Sequence, residues 1–129
     1  MMEAKIKLTK TMLDKSIIDA NKTVQQFLTD DFEMSYDDPY FVQQWYNEKA
    51  GRFERGRLTV TGEYADGERV DVRFYRSGTR ADKRISIQKL KQYAEAGDTV
   101  ILTSNVGDRG SDPEYLIHIN IVRQTDATG

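Results

Sequence analysis

The sequence is expected to fold as a mainly β, barrel-like domain with one or two short helices. Three observations lead there. Apolar and polar residues alternate with period two from Arg57 onward, an Asp-Gly pair separates two such alternating runs, and further apolar runs follow at short intervals bounded by turn residues. The chain has 129 residues. One domain, drawn over 1–123 with a flexible tail at 124–129, is long enough to bury a core without covalent staples.

The first segment is ambiguous. Ile6 and Leu8 alternate with Lys5, Lys7 and Thr9, as in a short strand. Leu13, Ile17, Ala20, Val24 and Phe27 fall at helical spacing, with Thr11 and Asp14 as a capping pair. Asn21 equally caps a shorter helix, Lys22 to Leu28. Pattern alone leaves two readings open: one long helix, or strand, polar loop and short helix.

Thr29 to Arg55 is rich in acids and aromatics, with loops expected at Asp30–Asp31 and at Asp37–Asp38 before Pro39. Phe32, Tyr36, Tyr40, Phe41, Trp45, Tyr46 and Phe53 read as core and rim packing rather than as a stacking surface for bases. From Arg57, Leu58, Val60 and Gly62 alternate with Thr59, Thr61 and Glu63, and Ala65-Asp66-Gly67 supplies a hairpin turn. The return strand, Glu68 to Tyr75, turns Val70, Val72 and Phe74 to one face and Arg69 and Arg73 to the other. A turn at Ser77 to Asp82 then leads to a strand with Ile85 and Ile87 inward. A short helix from Gln88 to Glu95 stops at Gly97. Strands Thr99 to Ser104 and Glu114 to Val122 close the domain across the loop Asn105 to Pro113.

Composition excludes several chemistries. Without Cys there is no disulfide, thiolate zinc site or Cys nucleophile. No apolar run approaches the roughly 20 residues that span a bilayer, and MMEAKIKLTK lacks the apolar centre of a signal peptide. A cytoplasmic protein without a membrane partner is expected. The single histidine, His118, lies opposite Ile117, Ile119 and Ile121 on a strand, a place for a hydrogen-bonded residue rather than a base. Asp38, Glu48 and Lys49 supply the residue types of a metal nuclease, but acidic loop residues are commonly only solvated.

Charge is the strongest functional signal. Arg69 to Lys91 holds eight basic and two acidic residues, a net +6 in a chain of net −2, so the remainder carries −8. Such an island attracts a polyanion, although a hairpin salt-bridged to the acidic surface is the plainer reading. Arg76, Ser77, Gly78, Thr79, Arg80, Lys83 and Arg84 cluster around one turn, with Arg73 on the strand before it. The guanidinium fork bonds phosphate or the N7 and O6 edge of guanine through two hydrogen bonds. Ser77 and Thr79 add hydroxyl donors, and Gly78 permits close backbone approach.

The order of elements, Ile6-Lys7-Leu8-Thr9-Lys10-Thr11 near the start and Phe74-Tyr75-Arg76 running through a basic loop into Ile85-Ser86-Ile87, resembles the B3-type pseudobarrel DNA-binding domain. That family occurs in plant auxin-response transcription factors and in the recognition domains of EcoRII-like and BfiI-like restriction endonucleases. The chain lacks the proline common in the plant recognition loop, and its acidic aromatic segment has no family counterpart. The resemblance implies a seven-stranded open pseudobarrel and favours strand, loop and short helix at the start. It also implies two arms gripping the major groove. The first, Lys10 to Lys22, offers Lys10, Thr11, Lys15, Ser16, Asn21 and Lys22; the second is Arg76 to Arg84. Arg76, Arg80 and Arg84 are then expected on guanine or phosphate, and Asn21 on an adenine edge.

The expected function is sequence-specific binding of double-stranded DNA as the target-recognition domain of a restriction endonuclease. The unit is expected to be monomeric and bacterial or archaeal, with no cofactor or catalysis of its own and a nuclease domain or subunit as partner. The alternatives are a metal-dependent nuclease with a carboxylate site and a protein-interaction accessory factor of phage defence.

Overall fold

In the computed structural model, which describes residues 3–78, 80–104 and 116–124, the alternating runs assemble into one curled, open seven-stranded sheet. Its strands are β1 (Ala4–Lys7), β2 (Ile18–Asp19), β5 (Leu58–Tyr64), β6 (Arg69–Arg76), β7 (Lys83–Ile87), β8 (Thr99–Ser104) and β9 (Leu116–Val122). They lie in the order β1-β8-β9-β5-β6-β7-β2. Every pairing is antiparallel except β5 with β9. A separate hairpin joins β3 (Gln44–Asn47) to β4 (Arg52–Arg55). Four helices occur among the described residues: α1 (Lys10–Lys15), α2 (Lys22–Phe32), α3 (Pro39–Val42) and α4 (Leu90–Tyr93).

Period two decides which side chains turn inward. Val70, Val72 and Phe74 of β6 meet Ile85 and Ile87 of β7 on the concave face, and Val100 and Leu102 of β8 meet Ile117 and Ile119 of β9. Helix α2 fills the concavity with Val24, Phe27 and Leu28, all fully buried. The Phe27 ring packs 6.4 Å from Phe74 and 5.7 Å from Phe32. Gly62 sits where a Cβ would come within 2.7 Å of Val72 Cγ2 and 2.8 Å of Ile119 Cδ1, so glycine is needed for close packing there.

Both acidic pairs read as loops need separating. Asp37 and Asp38 do lie in a turn, but Asp30 and Asp31 continue α2 to Phe32. The helix runs on because Asp31 is buried and accepts from Ser104 Oγ at 2.6 Å. The aromatic segment is likewise mixed: Tyr36 and Phe41 join the core, whereas Tyr40, Trp45, Tyr46 and Phe53 are exposed. Expected strand residues Glu114 and Tyr115, the loop Asn105 to Pro113, and tail residues 125–129 lie outside the described residues.

Strand direction fixes what shares an end. Let β6 run upward into the turn at 77–82. Then β5, β9, β7 and β1 run downward, and β8 and β2 run upward. The connection from β1 to β2, which carries α1, is therefore at the lower end. Two contacts agree: Gly97 N–H donates to Leu8 C=O at 2.8 Å, and α1 residues Met12 and Leu13 line a groove with Ile87 and Leu90.

Candidate nucleic-acid interface

Folding dissolves most of the basic island. Arg69 pairs with Glu63 at 3.2 Å, Arg73 with Asp71 at 3.5 Å, Lys83 with Asp37 at 3.6 Å, and Lys89 with Glu68. Arg84 lies 3.2 Å from Asp82 and 3.7 Å from Asp19, the latter across the β2–β7 pairing. Of the eight cations, Arg80 and Lys91 alone have no carboxylate partner among the described residues; both are exposed. The charge that stands out along the chain is largely neutralised in space.

Arg76 is the principal correction. Its side chain is 14% exposed, and all three of its nitrogens donate: Nε to Tyr36 C=O at 2.8 Å, Nη1 to Ala81 C=O at 2.6 Å, and Nη2 to Asp37 at 2.8 Å. A guanidinium so committed closes its own turn, with three of its five N–H groups already donated and little of it exposed for guanine. Arg84 is also largely enclosed, held between two carboxylates. Below it, Tyr36 Oη donates to Arg84 C=O at 2.7 Å; burial, reinforced by the Tyr75 phenol, pushes the Tyr36 hydroxyl well above its ordinary range. Ser77 is engaged too, its Oγ accepting from Asp82 N–H at 2.9 Å. Gly78 is exposed and Thr79 lies outside the described residues.

The first arm divides between the two ends. Lys10, Thr11, Lys15 and Ser16 belong to α1 and its left-handed cap, at the lower end and away from the arginine turn. A clamp built from these residues and the turn at 77–82 is not formed. Asn21 and Lys22 do reach the upper end, where Ala20 N–H donates to Lys83 C=O at 2.9 Å and Lys22 shares a shallow groove with Lys83. Asn21, however, is a working cap. Its Oδ1 accepts from Val24 N–H at 3.0 Å and from Thr23 at 2.8 Å, and its amide donates to Lys5 C=O at 2.8 Å. Reading an adenine edge requires those same atoms.

A site that sequence reasoning missed lies on the outer face of the sheet. The β3–β4 hairpin overhangs β6 and β7 and encloses an open cleft of about 360 Å³. Arg52, Phe53, Arg55 and Arg57 line it from the hairpin side, and Arg73, Tyr75 and Ser86 from the sheet. Arg55 builds the cleft: Nη1 donates to Ser77 C=O at 2.8 Å and Gly78 C=O at 3.0 Å, and Nε to Val42 C=O at 3.1 Å. It thus ties the arginine turn to the hairpin without a carboxylate to neutralise it. Arg57 is exposed and its guanidinium makes no hydrogen bond or ion pair among the described residues. The cleft's one acid, Glu54, is occupied by Asn47 Nδ2 at 3.0 Å and Arg52 at 3.3 Å, and these bonds hold its carboxyl below the usual range. The available signal was R-F-E-R-G-R at 52–57, three arginines in six residues, split across the end of the acidic, aromatic segment at Arg55 and the start of the alternating strand at Arg57.

Among the described residues no three His, Asp or Glu side chains are grouped to hold a metal ion. Asp38 accepts from Ser35 N–H at 2.9 Å and precedes α3, and Glu48 and Lys49 sit in the hairpin turn. His118 faces outward beside Thr103, as its strand position implies.

Comparison of the chain with protein-family models, curated proteins and solved structures finds no match.

Proposed function

We propose that this protein is a recognition module that binds double-stranded DNA at the upper end of its sheet, chemistry being supplied by a separate nuclease domain or subunit. One observation carries the reading. Among the described residues, Arg55, Arg57 and Arg80 form no ion pair with a carboxylate around the hairpin cleft and the turn above it, although Arg57 lies near enough to Glu54 to help lower its pKa. Among the described residues, the guanidiniums of Arg57 and Arg80 donate to no protein acceptor, and Arg73 pairs with one carboxylate. A protruding turn flanked by such groups has the chemistry of phosphate positioning and base-edge contact. Lys22 and Lys83 extend the cationic surface toward the start of α2.

The proposed footprint has one arm rather than two; it keeps Arg80 and sets Arg57 in place of Arg76 and Arg84. Selection of bound sequences from randomised duplexes, followed by anisotropy titrations at several salt concentrations, tests it. Enrichment of a common site, with a salt slope that falls by about one for each phosphate-contacting arginine removed, is the expected result. Absence of duplex binding at low salt would overturn the reading.

A further inference from the structure

Phe53 lines the hairpin cleft and belongs to an aromatic pair that phosphate binding does not require. Tyr46 and Phe53 are paired across β3 and β4, their ring centroids 5.2 Å apart at 74°. They are 53% and 64% exposed. Strand alternation puts Gln44 and Arg55 on that same hairpin face, and both line the cleft with Phe53. Tyr75 and Arg73 line it from the sheet, and Arg57 from the chain that follows the hairpin. The cleft thus has aromatic surface, cationic groups and one amide side chain with both donor and acceptor.

The edge-to-face contact stabilises the hairpin, yet it leaves more than half of each ring in water. Duplex phosphates do not reach for aromatic faces; unpaired bases do, since every base offers a π surface to stack on. We infer that the cleft takes an unpaired nucleobase, stacked on Phe53, whose ring Tyr46 supports edge-on from outside the cleft lining, with its flanking phosphates on Arg57 and Arg73. Gln44 lies within the same cleft to bond the base edge. This rests on the nucleic-acid reading but not on duplex recognition, because the base must be out of a helix to enter. The natural ligand is a single-stranded segment, either free or adjoining a duplex.

The test measures fluorescein-labelled ten-nucleotide dT and rU strands, a blunt duplex, and the same duplex with a five-nucleotide overhang, against wild type, Phe53→Ala, Tyr46→Ala and Phe53→Trp. Phe53→Ala is expected to weaken single-strand and overhang binding roughly 5- to 150-fold, the range of one lost base–aromatic stack. Blunt-duplex affinity should stay within about twofold, and Phe53→Trp should restore binding. A 2-aminopurine placed in the strand should be quenched by wild type and not by Phe53→Ala. Equal loss on blunt duplex and single strand, or no wild-type preference for the overhang over the blunt duplex, overturns the inference. Single-strand binding lost with Phe53→Ala, in a protein that ignores blunt duplex, supports it while removing the duplex proposal. Comparison of dT with rU assigns the sugar.

Discussion

Arg76 and Asp37, 39 residues apart in the chain, meet at 2.8 Å beneath the arginine turn. The same guanidinium holds Tyr36 C=O and Ala81 C=O, so one side chain joins the end of β6, the turn after it and the segment before α3.

Removing that brace should cost stability before it costs binding. Arg76→Ala leaves two carbonyls without their donor and Asp37 with Lys83 alone, a loss of about 2–4 kcal/mol. Urea unfolding followed by far-ultraviolet circular dichroism measures it. Arg76→Lys should recover only part, since an ammonium lacks the planar fork that serves three acceptors.

Arg80→Ala should behave in the opposite way. With no intramolecular partner among the described residues to lose, its unfolding midpoint should shift by less than about 0.5 kcal/mol. Specific duplex affinity should fall by about 1–3 kcal/mol if Arg80 reads a base. Uniform loss on every duplex would mark a phosphate contact instead.

Asn21→Ala should cost about 1 kcal/mol through the lost cap of α2, with duplex affinity per folded molecule unchanged. Chemical denaturation and anisotropy on the same preparation separate the two roles. A selective loss of affinity for adenine-containing sites would return Asn21 to the interface.

Gly56→Ala should release the hairpin. Its amide donates to Tyr40 C=O at 3.0 Å, and a Cβ there would lie 2.3 Å from that same oxygen and 2.7 Å from the Tyr40 ring. Backbone oxygen cannot yield as a flexible side chain does, so faster amide exchange is expected across 44–55 while β5 to β9 remain protected.

Acid stability should depend on Asp98. It accepts from Glu95 N–H at 2.9 Å, Gln124 N–H at 3.1 Å and Arg123 at 2.9 Å; the backbone bond from Glu95 leads in holding its pKa below the ordinary value. A depressed folded pKa contributes stability that is fully present above the unfolded value of about 3.9 and lost as pH falls through the lower folded one. Wild type should therefore lose stability from about pH 5 downward, and Asp98→Asn should be less stable at neutral pH with a shallower acid slope. Urea midpoints between pH 7 and pH 2 decide it.

The strands from Leu58 onward were legible because each buries one face, and period two survives any tertiary arrangement that does so. The β3–β4 hairpin was not, because both its faces remain partly wet and its residues need no alternation. Helix α1 was hidden by brevity: six residues with one buried side chain leave little periodic trace.

Composition and spacing alone determined a mainly β sheet, its inward residues, the Asp-Gly hairpin and the presence of surplus cations near the second turn. Only the tertiary structure decided which cations stay unpaired and which loops share an end. Ion pairing sums charge over neighbours in space, and Arg76 finds Asp37 across 39 residues of chain. The end at which a connection emerges follows from strand direction, which here turns on β9 entering parallel to β5.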